Sequence, residues 1–107
     1  MIAIATDDGK TVRRGHFGDA ASYMIYDEHG KLIEERRNPY TDEALGIKAH
    51  DVPEKAKLID QLLSDCTVLV GSAHGKKNMQ RLEAVGKRFV KVPPGTPIQD
   101  ALKEALS

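Results

Sequence analysis

The sequence predicts an α/β fold with a mixed five-stranded sheet, and three features lead there. Strand-like runs come first, and two of them flank a hairpin turn, so the start is antiparallel. Helical stripes then alternate with short strands; a helix crossing between strands demands parallel pairing and favours helices packed on the sheet. Between them, Thr67 to Val70 is a β-branched and apolar run without alternation. That is the pattern of a central strand covered on both faces.

The elements follow in order. Ile2-Ala3-Ile4-Ala5 makes the first strand, and the polar Thr6-Asp7-Asp8-Gly9 ends it. Ser22 to Asp27 and Lys31 to Arg36 flank Glu28-His29-Gly30, with Tyr23, Ile25, Leu32 and Ile33 expected to supply apolar faces. Asn38 to His50 is one long irregular segment, a length that suits a lid, a binding loop or a mobile connection. Asp51 with Glu54 has the form of a capping box, and Val52, Ala56, Ile59, Leu62 and Leu63 recur at helical spacing behind it. After the fourth strand a helix is expected from Lys76 to Val85, with Met79, Leu82 and Val85 as its stripe and Gly86 as a left-handed cap. Phe89 to Val92 is the last strand, and Pro93-Pro94-Gly95 breaks the chain. Thr96, Pro97 and Gln99 then start a final helix carrying Ile98, Ala101, Leu102, Ala105 and Leu106.

Composition narrows the function. A chain of 107 residues is expected to form one domain, residues 1–107, and to bury roughly two thirds of the surface its unfolded form exposes. Sixteen basic and sixteen acidic side chains leave no net field for a polyanion. No dense basic run supplies a nucleic-acid footprint, so no nucleic-acid partner is expected. The single cysteine, Cys66, excludes an intrachain disulfide and any all-thiolate metal cage from one chain. A metal site must then be histidine-led, shared between chains, or built on a preformed cluster. The first apolar run is too short and too soon acidic for a signal peptide, and nothing approaches a membrane span. A soluble, cytoplasmic protein with no membrane partner is the expectation.

Two glycine- and histidine-bearing loops stand out. Gly15-His16-Phe17-Gly18 lies in the loop after the first strand, and Gly71-Ser72-Ala73-His74-Gly75 follows the fourth. If those strands are neighbours, the loops share one rim. His16 is the first candidate ligand, the alternative being that it caps its loop or bonds the backbone. His74 is the second; with Gly75, Lys76 and Lys77 it opens a helix, where anions are favoured, although an exposed loop histidine looks the same in sequence. His50 ends the long segment, and it either folds back over the rim or faces water. His29, in the hairpin turn, is expected in solvent. Cys66 sits at the far entrance of a buried strand and reads better as a small core residue than as a ligand or a bridge between chains. Arg13-Arg14 precede the first glycine, where they either meet an anionic group or form a solvated turn.

Taken with those loops, the chain resembles the dinitrogenase iron-molybdenum cofactor biosynthesis family nearly end to end. The resemblance is carried by Ile2-Ala3-Ile4-Ala5-Thr6, by His16-Phe17-Gly18-Asp19-Ala20 leading into Tyr23-Met24-Ile25-Tyr26, and by Arg37-Asn38-Pro39. Asp65-Cys66-Thr67-Val68-Leu69-Val70, Leu82-Glu83-Ala84-Val85-Gly86-Lys87 and Phe89-Val90-Lys91-Val92 complete it. No one of these motifs is diagnostic; their order and spacing are. The resemblance implies a three-layer, ribonuclease-H-like fold of strand order 3-2-1-4-5. It also implies a carrier or scaffold for a metal-sulfur cluster rather than a catalyst. Where family members often carry a compact turn such as GGMG or GIG after the fourth strand, this chain has a longer loop with a histidine.

Cluster carriage needs few strong donors, because the cluster brings its own sulfides and must later be released. The expected site is the rim of residues 13 to 18 and 71 to 77. His16, His74 and His50 are the metal-ligating candidates, and Arg14, Phe17, Gly18, Gly71, Gly75 and Lys76 line the cofactor. The expected cargo is an iron-sulfur or iron-molybdenum cluster, bound transiently. Cluster donor and acceptor proteins are the expected partners, and the chain itself a monomer or weak homodimer. Two other classes are weaker. A two-metal hydrolase would use Asp7 or Asp8, but the later strands offer no matching carboxylates. A small-anion or nucleotide module would use Gly71 to Lys77 at the helix start, although the spacing is not that of a P-loop.

Overall fold

The computed structural model describes residues 1–41 and 55–107, apart from the side chains of Lys55 and Lys77. Its first half is the antiparallel unit the turn chemistry dictates: β1 (Ile2–Thr6), β2 (Ser22–Tyr26) and β3 (Leu32–Arg37). Asp27 makes the hairpin. Its carboxylate accepts from the backbone N–H groups of His29 (2.8 Å) and Lys31 (2.9 Å), and Gly30 takes φ +83°. The second half alternates α1 (Lys55–Leu62), β4 (Val68–Gly71), α2 (Lys76–Ala84), β5 (Arg88–Lys91) and α3 (Ile98–Leu106).

The five strands form one mixed sheet of order β3-β2-β1-β4-β5. β1 is antiparallel to β2 and parallel to β4, with Ile2 opposite Val68, Ala3 opposite Leu69 and Ile4 opposite Val70. Every residue of β1 is buried, so this strand carries two cores. On one face Ala3 and Ala5 are small, leaving room for Phe17, Tyr23 and Ile25, for Ile59 and Leu63 at α1, and for Leu82 of α2. On the other, Ile2 and Ile4 meet Val12, Tyr26, Val70 and the apolar stripe of α3: Ile98, Ala101, Leu102 and Ala105. Helices therefore cover both faces of the sheet, as the period-2 alternation of β1 requires.

Several local expectations need correction. The final helix, expected to start with Thr96, Pro97 and Gln99, begins at Ile98 with Pro97 as N-cap, and the Thr96 hydroxyl donates to Pro93 O. The start of α3 is set by the β1 loop, since Ile98 N–H donates to Lys10 O at 3.0 Å and Thr11 bridges Pro97. Leu32 and Ile33 are about half exposed rather than core, because β3 is an edge strand with a register shift opposite Ile25 and Tyr26. Val85 is 65% exposed at the C-cap of α2, one position past the end of the helix. Gly86 does take the left-handed conformation, at φ +78°. The capping box of Asp51 and Glu54, Val52 and all but the first four residues of the long segment lie outside the described residues.

Two basic residues tie the edges down. Arg36 of β3 donates to Leu62 O (2.7 Å) at the C-terminus of α1 and to both oxygens of Asp65 (2.9 and 3.1 Å). A guanidinium there meets the negative end of the helix. Its hydrogen bonds hold the Asp65 carboxyl down to about 2. Arg88 of β5 donates to Ala105 O (2.6 Å) near the end of α3.

The buried faces of β1 set the stability. Ile4→Ala, at a position with no exposure, is expected to cost about 3 kcal/mol, a fall in melting temperature on the order of 12 °C. Val85→Ala is expected to change stability by less than about 0.5 kcal/mol. Thermal unfolding of the two variants checks the contrast.

Candidate functional site

The site is built where the chain leaves the C-terminal ends of β1 and β4. Because these strands run parallel side by side, both loops emerge on one rim, and they are bonded to each other. Phe17 N–H donates to Ala73 O at 2.9 Å, and His16 forms a parallel bridge with Ala73. Ser72, buried, completes the seam: its hydroxyl donates to Arg13 O (2.6 Å) and accepts from Gly15 N–H (3.2 Å). Gly15 takes φ +111°, which lets the loop turn back onto this seam. His16 and His74 thus project from two loops joined by backbone bonds.

The first loop holds its shape by spending its acidic residues on itself. Asp8 accepts from the N–H groups of Lys10 and Thr11 and from the Thr11 hydroxyl, all within 2.9 Å. These bonds, led by the backbone donors, hold its carboxyl far below the usual range. Asp7 takes both oxygens to Arg13 (3.0 and 2.8 Å) and also accepts from Ala21 N–H (2.9 Å). Arg13 in turn reaches His16 O (3.1 Å) and stands 3.5 Å from Asp19. An open groove of about 440 Å³ lies on this side, lined by Asp7, Arg13, Asp19, Ala21, Arg37, Asn38 and Thr41.

After His16 the chain makes a short 3-10 turn, Phe17–Asp19, which the sequence reading did not foresee. Phe17 is its buried anchor. Its ring lies 5.0 Å from Tyr23, 5.4 Å from His74 and 5.6 Å from Phe89, the last two edge-on. His74 stacks on Phe89 at 5.0 Å. These rings explain Gly71: a Cβ there would lie 3.1 Å from Phe17 Cδ2 and 3.2 Å from Phe89 Cζ, both stiff ring atoms. The glycine at the end of β4 is a packing requirement of the aromatic cluster.

The two histidines differ in environment. His16 is exposed, and no hydrogen bond among the described residues holds its imidazole. His74 is half-buried; its pKa falls to about 4, first because burial disfavours the imidazolium, then because Arg81 and His16 add positive charge nearby. His74 is therefore a neutral imidazole at physiological pH, the form that can donate to a metal. Arg14 and Lys76 are exposed beside these loops, and Gly75 is the N-cap of α2 with no side-chain cap of its own.

The rim therefore gathers Arg14, His16, Phe17 and Gly18 from one loop and Gly71, His74, Gly75 and Lys76 from the other. His50 lies outside the described residues. Among these residues no group of three or more His, Cys, Asp or Glu is placed to hold a metal ion, and no helix is long and apolar enough to cross a membrane. Cys66 is fully buried in the core at the opposite end of β4 from the rim, and burial pushes its thiol up to about 11. His29 is in solvent, as expected of a hairpin turn.

Sequence reasoning missed three contributors. Phe89 supplies the stacking partner of His74, Ser72 the seam, and Asn38 a set of bonds to the 3-10 turn. Asn38 Nδ2 donates to Gly18 O (3.1 Å) and Ala20 O (2.9 Å), and Tyr23 Oη donates to Phe17 O (2.8 Å). The one signal for Asn38 was its place in Arg37-Asn38-Pro39, at the start of the long segment.

The state of His74 has a consequence for pH. Its folded pKa lies below its unfolded value of 6.5, so the unfolded chain binds more protons between about 6.5 and 4 and stability falls as pH falls through that window. Denaturation midpoints measured from pH 7 to 4 are expected to decline, and His74→Phe, which keeps a ring on Phe89, is expected to flatten the decline. The carboxylates of Asp8 and Asp65 contribute only below that range, since their folded values are depressed beneath 3.8.

Comparison with known proteins gives one positive finding. No curated protein matches the chain. The family model described as dinitrogenase iron-molybdenum cofactor matches residues 1–107, the whole length, and with its motifs now joined into one sheet and one rim, the chain belongs to that family, whose work is the biosynthesis and handling of the iron-molybdenum cofactor.

Proposed function

We propose that the protein is a non-enzymatic carrier that takes an iron-sulfur or iron-molybdenum type cluster as cargo at the rim of residues 13 to 18 and 71 to 77. The observation that carries this reading is the bonding of the two histidine loops to each other, His16 beside Ala73, which brings two imidazoles to one edge of the sheet. His16 is the exposed donor. His74, neutral at physiological pH, is the second. Two donors suit a cargo that brings its own sulfides and must be released, whereas a bare structural metal site asks for about four. Arg14, Lys76 and the N-terminal end of α2 favour an anion at the same edge. Family membership supports the same cargo class.

The carboxylates argue against hydrolysis. Asp7 is held by Arg13 and Ala21, and Asp8 by its own loop. Neither is left to converge with a second acid on a metal pair. The small-anion module remains the second reading, favoured by Lys76 and the uncapped start of α2. In the carrier reading the protein is a single-domain, cytoplasmic monomer or weak homodimer. Its partners are the proteins that donate the cluster and receive it.

The test is anaerobic purification from a host grown with iron and molybdate, followed by metal analysis and visible absorption. Stoichiometric metal with sulfide-to-metal charge-transfer bands is expected. His16→Ala is expected to lose most of it while keeping the wild-type melting temperature, and Cys66→Ala to keep it. Full loading of the His16 variant would overturn the site. Stabilisation by phosphate with no effect of metal would favour the anion module.

A further inference from the structure

We infer that Asn38 is the positioning residue for His16, setting the direction of that imidazole from the far end of β3. The inference rests on the reading of His16 as a ligand. Nothing holds the His16 ring itself: it is exposed, and among the described residues its nitrogens bond to no other group. Its direction is inherited from its backbone, at φ −61° and ψ 133°, and from the turn that follows. Whatever fixes that turn aims the ligand.

Three side chains fix it: Arg13 holds His16 O (3.1 Å) at its start, and Asn38 and Tyr23 hold the carbonyls that follow. Asn38, 7% exposed, donates from one amide nitrogen to Gly18 O (3.1 Å) and Ala20 O (2.9 Å). The same nitrogen stands 3.5 Å from Tyr23 Oη, which donates to Phe17 O at 2.8 Å. The carbonyls of Phe17, Gly18 and Ala20 are thereby held from one side, while Ala73 O receives Phe17 N–H from the other. Asn38 is itself oriented without ambiguity. Its Oδ1 accepts from Tyr40 N–H (2.9 Å) and its own N–H donates to Ala21 O (3.1 Å), so the nitrogen must face the turn. No other side-chain type of this size donates twice and accepts once through one planar group.

An aspartate at this position keeps the shape and reverses the chemistry, placing oxygens against two carbonyl oxygens. Asn38→Asp is therefore expected to tilt the turn and swing His16 off the rim. The probe is an iron-sulfur cluster assembled anaerobically on the protein from ferrous iron and sulfide and followed by its charge-transfer absorption, in wild type, Asn38→Asp, His16→Ala and the double variant. Asn38→Asp is expected to weaken cluster binding about tenfold and to alter the absorption at saturation. In the His16→Ala background the same change is expected to move the dissociation constant by under about twofold, although it lowers the melting temperature equally in both backgrounds. A variant that loses stability but binds the cluster with the wild-type constant and spectrum would show a purely structural role and overturn the inference. Unchanged binding by His16→Ala alone would instead remove the ligand reading, and this inference with it. Should Asn38→Asp not fold, Tyr23→Phe serves in its place: it deletes the bond to Phe17 O and the acceptor 3.5 Å from Asn38 Nδ2, and the same coupling to His16 is expected at smaller size.

Discussion

The parallel pairing of β1 with β4 is the constraint on which the rest of the molecule depends. Parallel neighbours send their C-terminal ends to the same edge, and ligand sites in open α/β sheets gather at such edges for that reason. Here β1 is also antiparallel to β2, so the sheet changes direction beside the site. The loop after β1 leads on to β2, and on its way it closes against the loop after β4 through Ser72, Gly15, Phe17 and Ala73. Two histidines 58 positions apart in sequence, His16 and His74, become neighbours as a consequence.

The first loop shows how charge can be used for shape. Asp7, Asp8 and Arg13 bring three charges within seven residues, yet each is committed to a neighbour in the loop or to the backbone of Ala21. Hydrogen bonds to ionised groups are the stronger kind, so a short exposed loop gains a fixed form from them. Arg14 and, across the seam, Lys76 are exposed. They place two cationic side chains beside the rim although the chain as a whole is neutral.

Below that surface the rim stands on an aromatic floor. Tyr23, Phe17, Phe89 and His74 contact one another in tilted, edge-on and stacked arrangements, the geometries that ring quadrupoles favour. Burial in this floor keeps His74 neutral, and the absence of a Cβ at Gly71 lets the rings meet. Tyr23 links floor to loop, its ring against Phe17 and its hydroxyl on Phe17 O. The polar and apolar halves of the site are thus one structure.

Much of the fold was legible in the sequence, because period-2 and period-3.6 patterns report which side of an element is buried. β1, β2, β4 and the stripe of α3 were readable this way, as was Gly86 as a helix stop. Patterns are silent about cover. Leu32 and Ile33 look like core residues, yet β3 lies at the edge of the sheet with its apolar side chains half exposed, and Val85 falls just past the end of its helix. Thr96 has the chemistry of a cap, but Lys10 O takes the first helical N–H group and moves the start to Pro97. For the site, the sequence by itself determined which residues have donor chemistry, since that belongs to side-chain type: His16, His74, Arg14 and Lys76. Only the tertiary structure decided that the first two share a rim, that Cys66 is buried at the other end of its strand, and that Asn38 and Phe89 pack or bond against the segments that carry the two histidines. Those outcomes depend on strand order, register and which groups are removed from water, quantities set by contacts between residues distant in the chain.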